Sequence, residues 1–120
     1  MIHKRTIKQF GDSQFNTIIN HTVLIVGVGG VGGYTVEALA RFGIKKLILI
    51  DDDVIEASNI NRQLCALHST VGKSKVDVFK SRIYDINPNI DVVALYERFN
   101  EESTVLDDYK IDFVIDAIDS

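Results

Sequence analysis

A glycine-dense turn between an apolar run and a helical pattern constrains the fold of this chain more than any other feature. Val23–Val26 are four consecutive apolar residues, which is typical of a strand buried on both faces. Five glycines follow within Gly27–Gly33. Three of them have the G-x-G-x-x-G spacing: Gly27, Gly29 and Gly32. The apolar spacing after them predicts a helix that stops at Gly43, so we expect a strand, a tight turn and a helix.

The composition of this turn is suited to binding a phosphate. Glycine permits positive φ and lets a phosphate approach the backbone closely. A helix that begins at the turn offers unpartnered N–H groups and the positive end of its dipole. The candidate phosphate-binding residues are Gly27, Gly29, Gly30 and Gly32. The alternative is a tight strand-to-helix turn without a ligand, which five glycines at this place disfavour.

The rest of the chain alternates between strand and helix patterns. Further strands are predicted at Lys46–Asp51, Asp91–Tyr96 and Asp112–Ala117. Helices are predicted at Asp12–Asn20, at Gly72–Ile86 and, as a short piece, within Glu101–Asp108. Such alternation predicts an α/β fold, namely a Rossmann-like, doubly wound and mostly parallel sheet, here its N-terminal nucleotide-binding half.

Length and charge limit the possible classes of protein. The chain has 120 residues, 46% hydrophobic and 25% charged, which fits one globular domain and argues against disorder. A net charge of −4 gives no support for general binding to nucleic-acid backbone. A strand close to the last residue would leave apolar surface and a backbone edge without cover. Either a partner chain covers them or residues 1–120 are the N-terminal part of a longer chain, and we expect the second.

Cysteine and hydropathy patterns bear on the compartment. Cys65 is the single cysteine, which excludes an internal disulfide framework and fits a reducing compartment. We predict that it lies on a helical stretch and is a small buried hydrophobe rather than a nucleophile. Because no signal peptide and no membrane-spanning apolar run is visible, a cytoplasmic protein without a membrane partner is expected.

Polar residues that could serve a nucleotide follow the second and fourth strands. Asp51 ends its strand nineteen positions after Gly32, where a carboxylate commonly accepts ribose hydroxyls. The alternative is a solvated loop acid, and for Asp52 and Asp53 the two interpretations are balanced. The polar cluster behind them consists of Asn59, Asn61, Arg62 and Gln63.

Cationic residues favour ATP among the possible nucleotides. Arg62 and Lys75 could balance a triphosphate. Lys73 and Lys75 are expected in the first turn of the predicted helix, where a cation without an anionic partner opposes the helix dipole. Asp119 follows the last strand and could hold Mg²⁺ through oxygen. Two alternatives stay open: half of an oxidoreductase that binds NAD or FAD, and a non-catalytic nucleotide-binding or dimerisation module.

At these residues the chain resembles the ubiquitin-activating-enzyme-like superfamily of ThiF, MoeB and HesA. The likeness covers nearly all of Arg5–Ser120 and is carried by GVGGVGGYTVEALARFGI, LILIDDDVIEASNINRQ, GKSK, INP and VIDAIDS. The N-x-N-R-Q, G-x-x-K and D-A-I-D-S runs are not general Rossmann features. Within the superfamily the sequence is similar above all to the tRNA threonylcarbamoyladenosine dehydratases.

The resemblance implies ATP-dependent adenylation of a carboxylate, with tRNA as the acceptor, or a sulfur-carrier protein in the sister enzymes. The implied catalytic residues are Arg62, Lys75 and Asp119, with Asp119 also the Mg²⁺ ligand. The implied ATP-binding residues are Gly27, Gly29, Gly30, Gly32, Asp51, Asp53, Asn59, Arg62, Gln63 and Lys75, with Arg5 reaching the site of the other subunit of a homodimer.

Overall fold

Four parallel strands form the centre of the computed structural model, which describes residues 19–118. The strands are β1 (Thr22–Val26), β2 (Lys46–Asp51), β3 (Asp91–Tyr96) and β4 (Phe113–Asp116). Their order across the sheet is β3-β2-β1-β4, and every pairing is parallel. The predicted α/β class is therefore confirmed. The chain moves outward from β1 to β3 and then returns to the other side of β1.

Three helices connect the strands. They are α1 (Gly30–Phe42), α2 (Lys75–Ile86) and the short α3 (Val105–Asp108). Helix α1 stops where Gly43 adopts φ 86°, as the glycine at this position predicts. A single turn of 3₁₀ helix, Ala57–Asn59, lies in the long connection from β2 to α2.

Several predicted boundaries were wrong. Helix α2 begins at Lys75 rather than Gly72, because Gly72 has φ 90° and Ser74 caps the helix by accepting the Asp77 N–H. Lys73 therefore lies before the helix, not in its first turn. Cys65 was expected on a helical stretch, but residues 60–72 form turns.

The ends of the chain depart from the predicted elements in smaller ways. Strand β4 is one residue shorter at each end than Asp112–Ala117, and only the last four residues of Glu101–Asp108 are helical. The predicted helix at Asp12–Asn20 falls almost wholly outside the described residues.

The two faces of the sheet bury alternate residues of each strand. One face packs Val23 and Ile25 of β1 and Leu47 and Leu49 of β2 under α1 and α2. The opposite face buries a smaller cluster: Leu24, Val26, Ile48, Ile50 and Val105. The continuous apolar runs of β1 and β2 follow from this burial on both faces.

Strand β4 is the least covered strand. Within residues 19–118 it pairs only with β1, and Phe113 and Val114 are 42% and 50% exposed. Apolar exposure at this strand was expected from the sequence. No helix in the described part of the chain is both long and apolar enough to cross a membrane.

An ion pair ties α1 to α2. Glu37 accepts two hydrogen bonds from the Arg82 guanidinium, with Nη2 3.1 Å from Oε2, and Arg41 lies 3.6 Å away on its own helix. The hydrogen bonds from Arg82 lower the pKa of Glu37 below its usual 4.5, against the opposing effect of partial burial. The charged form of Glu37 is therefore favoured in the folded state.

We expect Glu37→Gln to lower the free energy of unfolding by about 1 kcal/mol near neutral pH. The variant loses the charge-assisted pair with Arg82, and the loss is modest because the pair is partly exposed. Because the pKa of Glu37 is lower in the folded state, its charge stabilises the protein at pH values above the usual pKa. This stabilisation is lost as the pH falls through the folded pKa. Urea unfolding at pH values above and below 4.5 should show that the difference in free energy of unfolding between wild type and variant becomes smaller below pH 4.5. The matched control is Asp85→Asn, an exposed acid on α2. A gap that stays constant with pH would contradict the assignment.

Candidate functional site

The glycine turn lies where β1 and β4 end side by side. Gly27 follows β1 with φ 90°, and its N–H donates to the carbonyl of Ile50 at 2.9 Å. A Cβ on Gly27 would lie 2.8 Å from the carbonyl oxygen of Ala117, just past β4. This is the point at which strand order reverses, where parallel α/β sheets place their ligand crevice.

Close backbone packing fixes the direction of α1. A Cβ on Gly32 would lie only 1.8 Å from the carbonyl oxygen of Gly27, so any side chain there collides with the backbone. A Cβ on Gly33 would approach the ring of Phe79 to 2.8 Å. Helix α1 therefore begins directly over the turn, with its N-terminus at the carboxyl edge of the sheet.

The outer side of the turn is open. A Cβ on Gly30 would have no neighbour within 4 Å. Gly29, the N-cap of α1, provides no side-chain cap, and no acidic residue lies in the first turn of the helix. The first helical hydrogen bond runs from the Gly33 N–H to the Gly29 carbonyl, so the N–H groups of residues 30–32 have no intrahelical acceptor. Such an end is suited to binding an anion.

Asp51 joins the end of β2 to the turn. Its Oδ2 accepts the N–H of Val28 at 2.8 Å, and its Oδ1 accepts the N–H of Asp53 at 2.7 Å. The predicted ribose acid therefore lies beside the turn, and it already holds two backbone donors. A carboxylate has about four lone-pair positions, so it retains acceptor capacity.

Lys75 is a buried cation at the start of α2. The residue is 5% exposed, and its Nζ lies 3.6 Å from Oδ2 of the exposed Asp53. Its N–H also donates to the Asp53 carbonyl at 3.1 Å. Burying a charge is costly unless it is paired, so Lys75 depends on the carboxylates around it.

The polar cluster of the 3₁₀ turn divides into different roles. Asn59 is buried, and its Oδ1 accepts the Glu56 N–H at 2.9 Å, which shapes the turn. Gln63 lies against the glycine turn, with Nε2 3.3 Å from the position of a Cβ on Gly29. Its buried Oε1 has no hydrogen-bond partner in the described structure. Such an atom is expected to find its partner in water or a ligand.

Arg62 is exposed next to Gln63. Its Nη1 donates to the Ser58 carbonyl at 3.1 Å, and within residues 19–118 it makes no ion pair. Most of its five donors are therefore available to an anion. Arginine with these properties is well suited to a phosphate.

Cys65 has the properties of a core residue. It is buried within the cluster under α1 and α2, and this burial raises the pKa of its thiol, although the nearby Lys75 acts in the opposite direction. A thiol with a raised pKa is a poor nucleophile near neutral pH. The prediction of a buried, non-nucleophilic cysteine agrees with these observations.

Most of the predicted site residues meet at one edge of the sheet. They are the turn glycines Gly27, Gly29, Gly30 and Gly32, together with Asp51, Asp53, Asn59, Gln63 and Lys75, with Arg62 adjacent in the chain. Arg5 and Asp119 lie outside the described residues. Sequence reasoning missed the Val28 N–H as a fixed part of the turn, because no side-chain pattern indicates which carboxylate a backbone donor will find.

Residues 3–120 match the ThiF family. The chain belongs to the ThiF family. Among its ThiF-family relatives, it is 46% identical over 123 residues to a tRNA threonylcarbamoyladenosine dehydratase of Bacillus subtilis, an alignment that covers 100% of this chain and 48% of the relative. It is also 40% identical over 98 residues to the ubiquitin-like modifier-activating enzyme 5 of Bombyx mori, covering 82% of this chain and 24% of that enzyme.

A solved structure has the same fold. The crystal structure of the Escherichia coli tRNA N6-threonylcarbamoyladenosine dehydratase, TcdA, in complex with ATP aligns with a TM-score of 0.86 and 35% identity. The alignment covers 98% of this chain and 49% of that one. The chain thus spans about half the length of the ThiF-family dehydratases to which it is similar.

Two alanine substitutions should separate the packed glycine from the open one. Gly32→Ala forces a Cβ into the Gly27 carbonyl and should lower the free energy of unfolding by about 3 kcal/mol or more. Gly30→Ala meets open space, so its stability should be unchanged or higher by up to about 0.5 kcal/mol. Urea unfolding of both variants tests this. Equal effects would show that the turn is not packed in this way.

Proposed function

We propose that this chain is the ATP-binding part of an enzyme that activates a carboxylate by adenylation, of the tRNA threonylcarbamoyladenosine dehydratase type. The observation that carries the proposal is the open N-terminus of α1, with Gln63 beside it and two cations nearby. The match to an ATP complex at 35% identity supports the choice of ATP over other nucleotides. The 46% identity to a named dehydratase supports the choice of reaction.

The proposed ATP pose follows from the chemistry of the site. The N–H groups at residues 29–32 bind the phosphates, and Asp51 and Asp53 offer acceptors to the ribose hydroxyls. In this pose Arg62 and Lys75 neutralise the negative charge that grows as the carboxylate attacks the α-phosphorus. Because such displacements depend on positioning and charge neutralisation, both cations contribute more to the transition state than to the bound substrate.

The proposed reaction requires no covalent intermediate with the enzyme. The threonyl carboxylate of the modified adenosine attacks the α-phosphorus, and the bond to the bridging oxygen breaks to release pyrophosphate. The carbamoyl group of the same side chain then attacks the activated carbonyl carbon and forms the new ring bond. The bond to AMP breaks, the carbamoyl group loses an N–H proton to solvent, and the modified adenosine has undergone a net dehydration. A buried Cys65 is consistent with this route, since no thioester is required.

Mg²⁺ belongs to the proposal through its complex with ATP. The predicted ligand is Asp119, outside the described residues. Among residues 19–118 the carboxylates of Asp51, Asp52 and Asp53 lie within 4.8 Å of one another. They do not fit a metal site here, because Asp51 holds two N–H groups, Asp52 pairs with Arg98, and Asp53 pairs with Lys75.

The acceptor and the assembly complete the proposal. The proposed acceptor is tRNA, which implies a cytoplasmic protein. The proposed assembly is a homodimer in which Arg5, outside the described residues, serves the partner's ATP site. The second candidate acceptor is the C-terminal tail of a carrier protein. The 40% identity to a ubiquitin-like modifier-activating enzyme favours keeping it.

Pyrophosphate exchange tests the reaction. The full-length protein with its tRNA should exchange labelled pyrophosphate into ATP and release AMP, whereas a carrier protein in place of tRNA should not stimulate either. Stimulation by the carrier protein alone would transfer the assignment to the second candidate. Tighter binding of NADH or FAD than of Mg–ATP would contradict adenylation altogether.

Arg62→Ala tests the role of the exposed cation. Turnover should fall by about tenfold or more, because transition-state charge loses a bidentate partner. The free energy of unfolding should change by less than about 0.5 kcal/mol, since Arg62 is exposed and makes few contacts. The matched control is Lys45→Ala, an exposed cation at the opposite edge of the sheet, which should leave turnover unchanged. A large loss of stability with little loss of turnover would show that Arg62 is structural.

A further inference from the structure

Asp51 is bound to the backbone on two sides. Its Oδ2 accepts the Val28 N–H at 2.8 Å, and its Oδ1 accepts the Asp53 N–H at 2.7 Å. A carboxylate that only served a ribose would not need either bond. The Val28 bond connects the glycine turn to the end of β2, 23 residues away in the chain, whereas the Asp53 bond is local.

The Val28 bond orients the phosphate-binding turn. Val28 lies between Gly27, which has φ 90°, and Gly29, the N-cap of α1. Its side chain is fully buried in the core under α1 and α2, so the residue cannot rotate without leaving that core. With the side chain fixed on one side and the N–H held by Asp51, the peptide that joins Gly27 to Val28 has one orientation.

The Asp53 bond extends the same constraint to the buried cation. Asp53 is held at its N–H by Asp51, at its carbonyl by the Lys75 N–H at 3.1 Å, and at its carboxylate by Lys75 Nζ at 3.6 Å. Lys75 is 5% exposed, so it has little freedom to adjust on its own. A continuous set of contacts therefore runs from the turn through Asp51 and Asp53 to Lys75.

We infer that Asp51 is a positioning residue that fixes the distance between the phosphate-binding turn and Lys75, in addition to any contact with the ribose. The inference rests on the proposed function, because it assigns the turn and the lysine to one polyphosphate. The Asp51 carboxylate accepts two backbone N–H groups, and these bonds reduce its repulsion of a bound anion.

A charge effect and a positioning role of Asp51 predict opposite changes in the affinity for a polyphosphate. Removing a negative charge near a polyanion should strengthen binding if Asp51 acts through its charge alone. Asp51→Asn keeps the size of the side chain, but its amide NH₂ cannot accept a hydrogen bond, so one of the two backbone donors is released. If Asp51 positions the turn, the variant should bind a polyphosphate more weakly despite the lost charge.

The experiment measures binding of ATP, 2′,3′-dideoxy-ATP and inorganic tripolyphosphate to wild type, Asp51→Asn and Asp52→Asn by calorimetry, all with Mg²⁺. We expect Asp51→Asn to lower the affinity for all three ligands by about fivefold or more, since the turn loses a charge-assisted bond. The control Asp52→Asn removes a neighbouring charge that is paired with Arg98, and it should bind tripolyphosphate as wild type or more tightly.

The outcomes separate this inference from the proposed function. A loss confined to ATP would mean that Asp51 only contacts the ribose, which overturns the inference and leaves ATP binding intact. A wild-type protein that binds neither ATP nor tripolyphosphate overturns the proposed function.

Amide hydrogen exchange provides a second readout that does not depend on ligand binding. In the wild type, the N–H groups of Val28 and Asp53 should exchange more slowly than those of Gly30 and Val31, which have no intrahelical acceptor. In Asp51→Asn at least one of the two protected groups should lose its protection. Equal exchange of all four groups in wild type would contradict the inference.

Discussion

The structure depends on one close approach of backbone to backbone, between Gly32 of α1 and the carbonyl of Gly27. A side chain at Gly32 would lie 1.8 Å from that oxygen, so only glycine allows the helix to begin at this position. Because the helix starts there, its unpartnered N–H groups face the carboxyl edge of the sheet, where β1 and β4 diverge. The direction of α1, the open turn and the crevice beside Ala117 all follow from this contact.

The two cations near the turn, Lys75 and Arg62, differ in burial and pairing. Lys75 is buried and paired with Asp53, whereas Arg62 is exposed and has no ion pair within residues 19–118. A buried cation holds its position but needs its carboxylate partner, while an exposed arginine can move to meet a ligand. The site thus combines a fixed charge with an adaptable one, and the proposed reaction requires both.

Much of the fold could be predicted because apolar runs and glycine carry strong local information. Strands β2 and β3 have the predicted bounds, and α1 stops at Gly43 as expected. The start of α2 was misjudged because Ser74, a short polar residue inside an apparently continuous helical pattern, acts as the cap. The turns at residues 60–72 were misjudged because their apolar residues are buried by packing rather than by helical periodicity.

The members of the site could be predicted better than their connections. Strand ends and glycine spacing indicated the same edge of the sheet for the turn, Asp51 and the polar cluster. The bond from Asp51 to the Val28 N–H and the pair of Glu37 with Arg82 join residues 23 and 45 positions apart. Such contacts depend on how the elements pack, which no local pattern records.

We propose that one polyphosphate binds across the turn and the two cations at the carboxyl edge of the sheet. The most direct measurement is the change in backbone amide NMR shifts on adding Mg–ATP to the isotope-labelled protein. We expect large shifts at residues 29–32, at Asp53, and around Gln63 and Lys75, with none at the opposite edge around Lys45. Shifts concentrated at the opposite edge, or no shifts at saturating Mg–ATP, would contradict it.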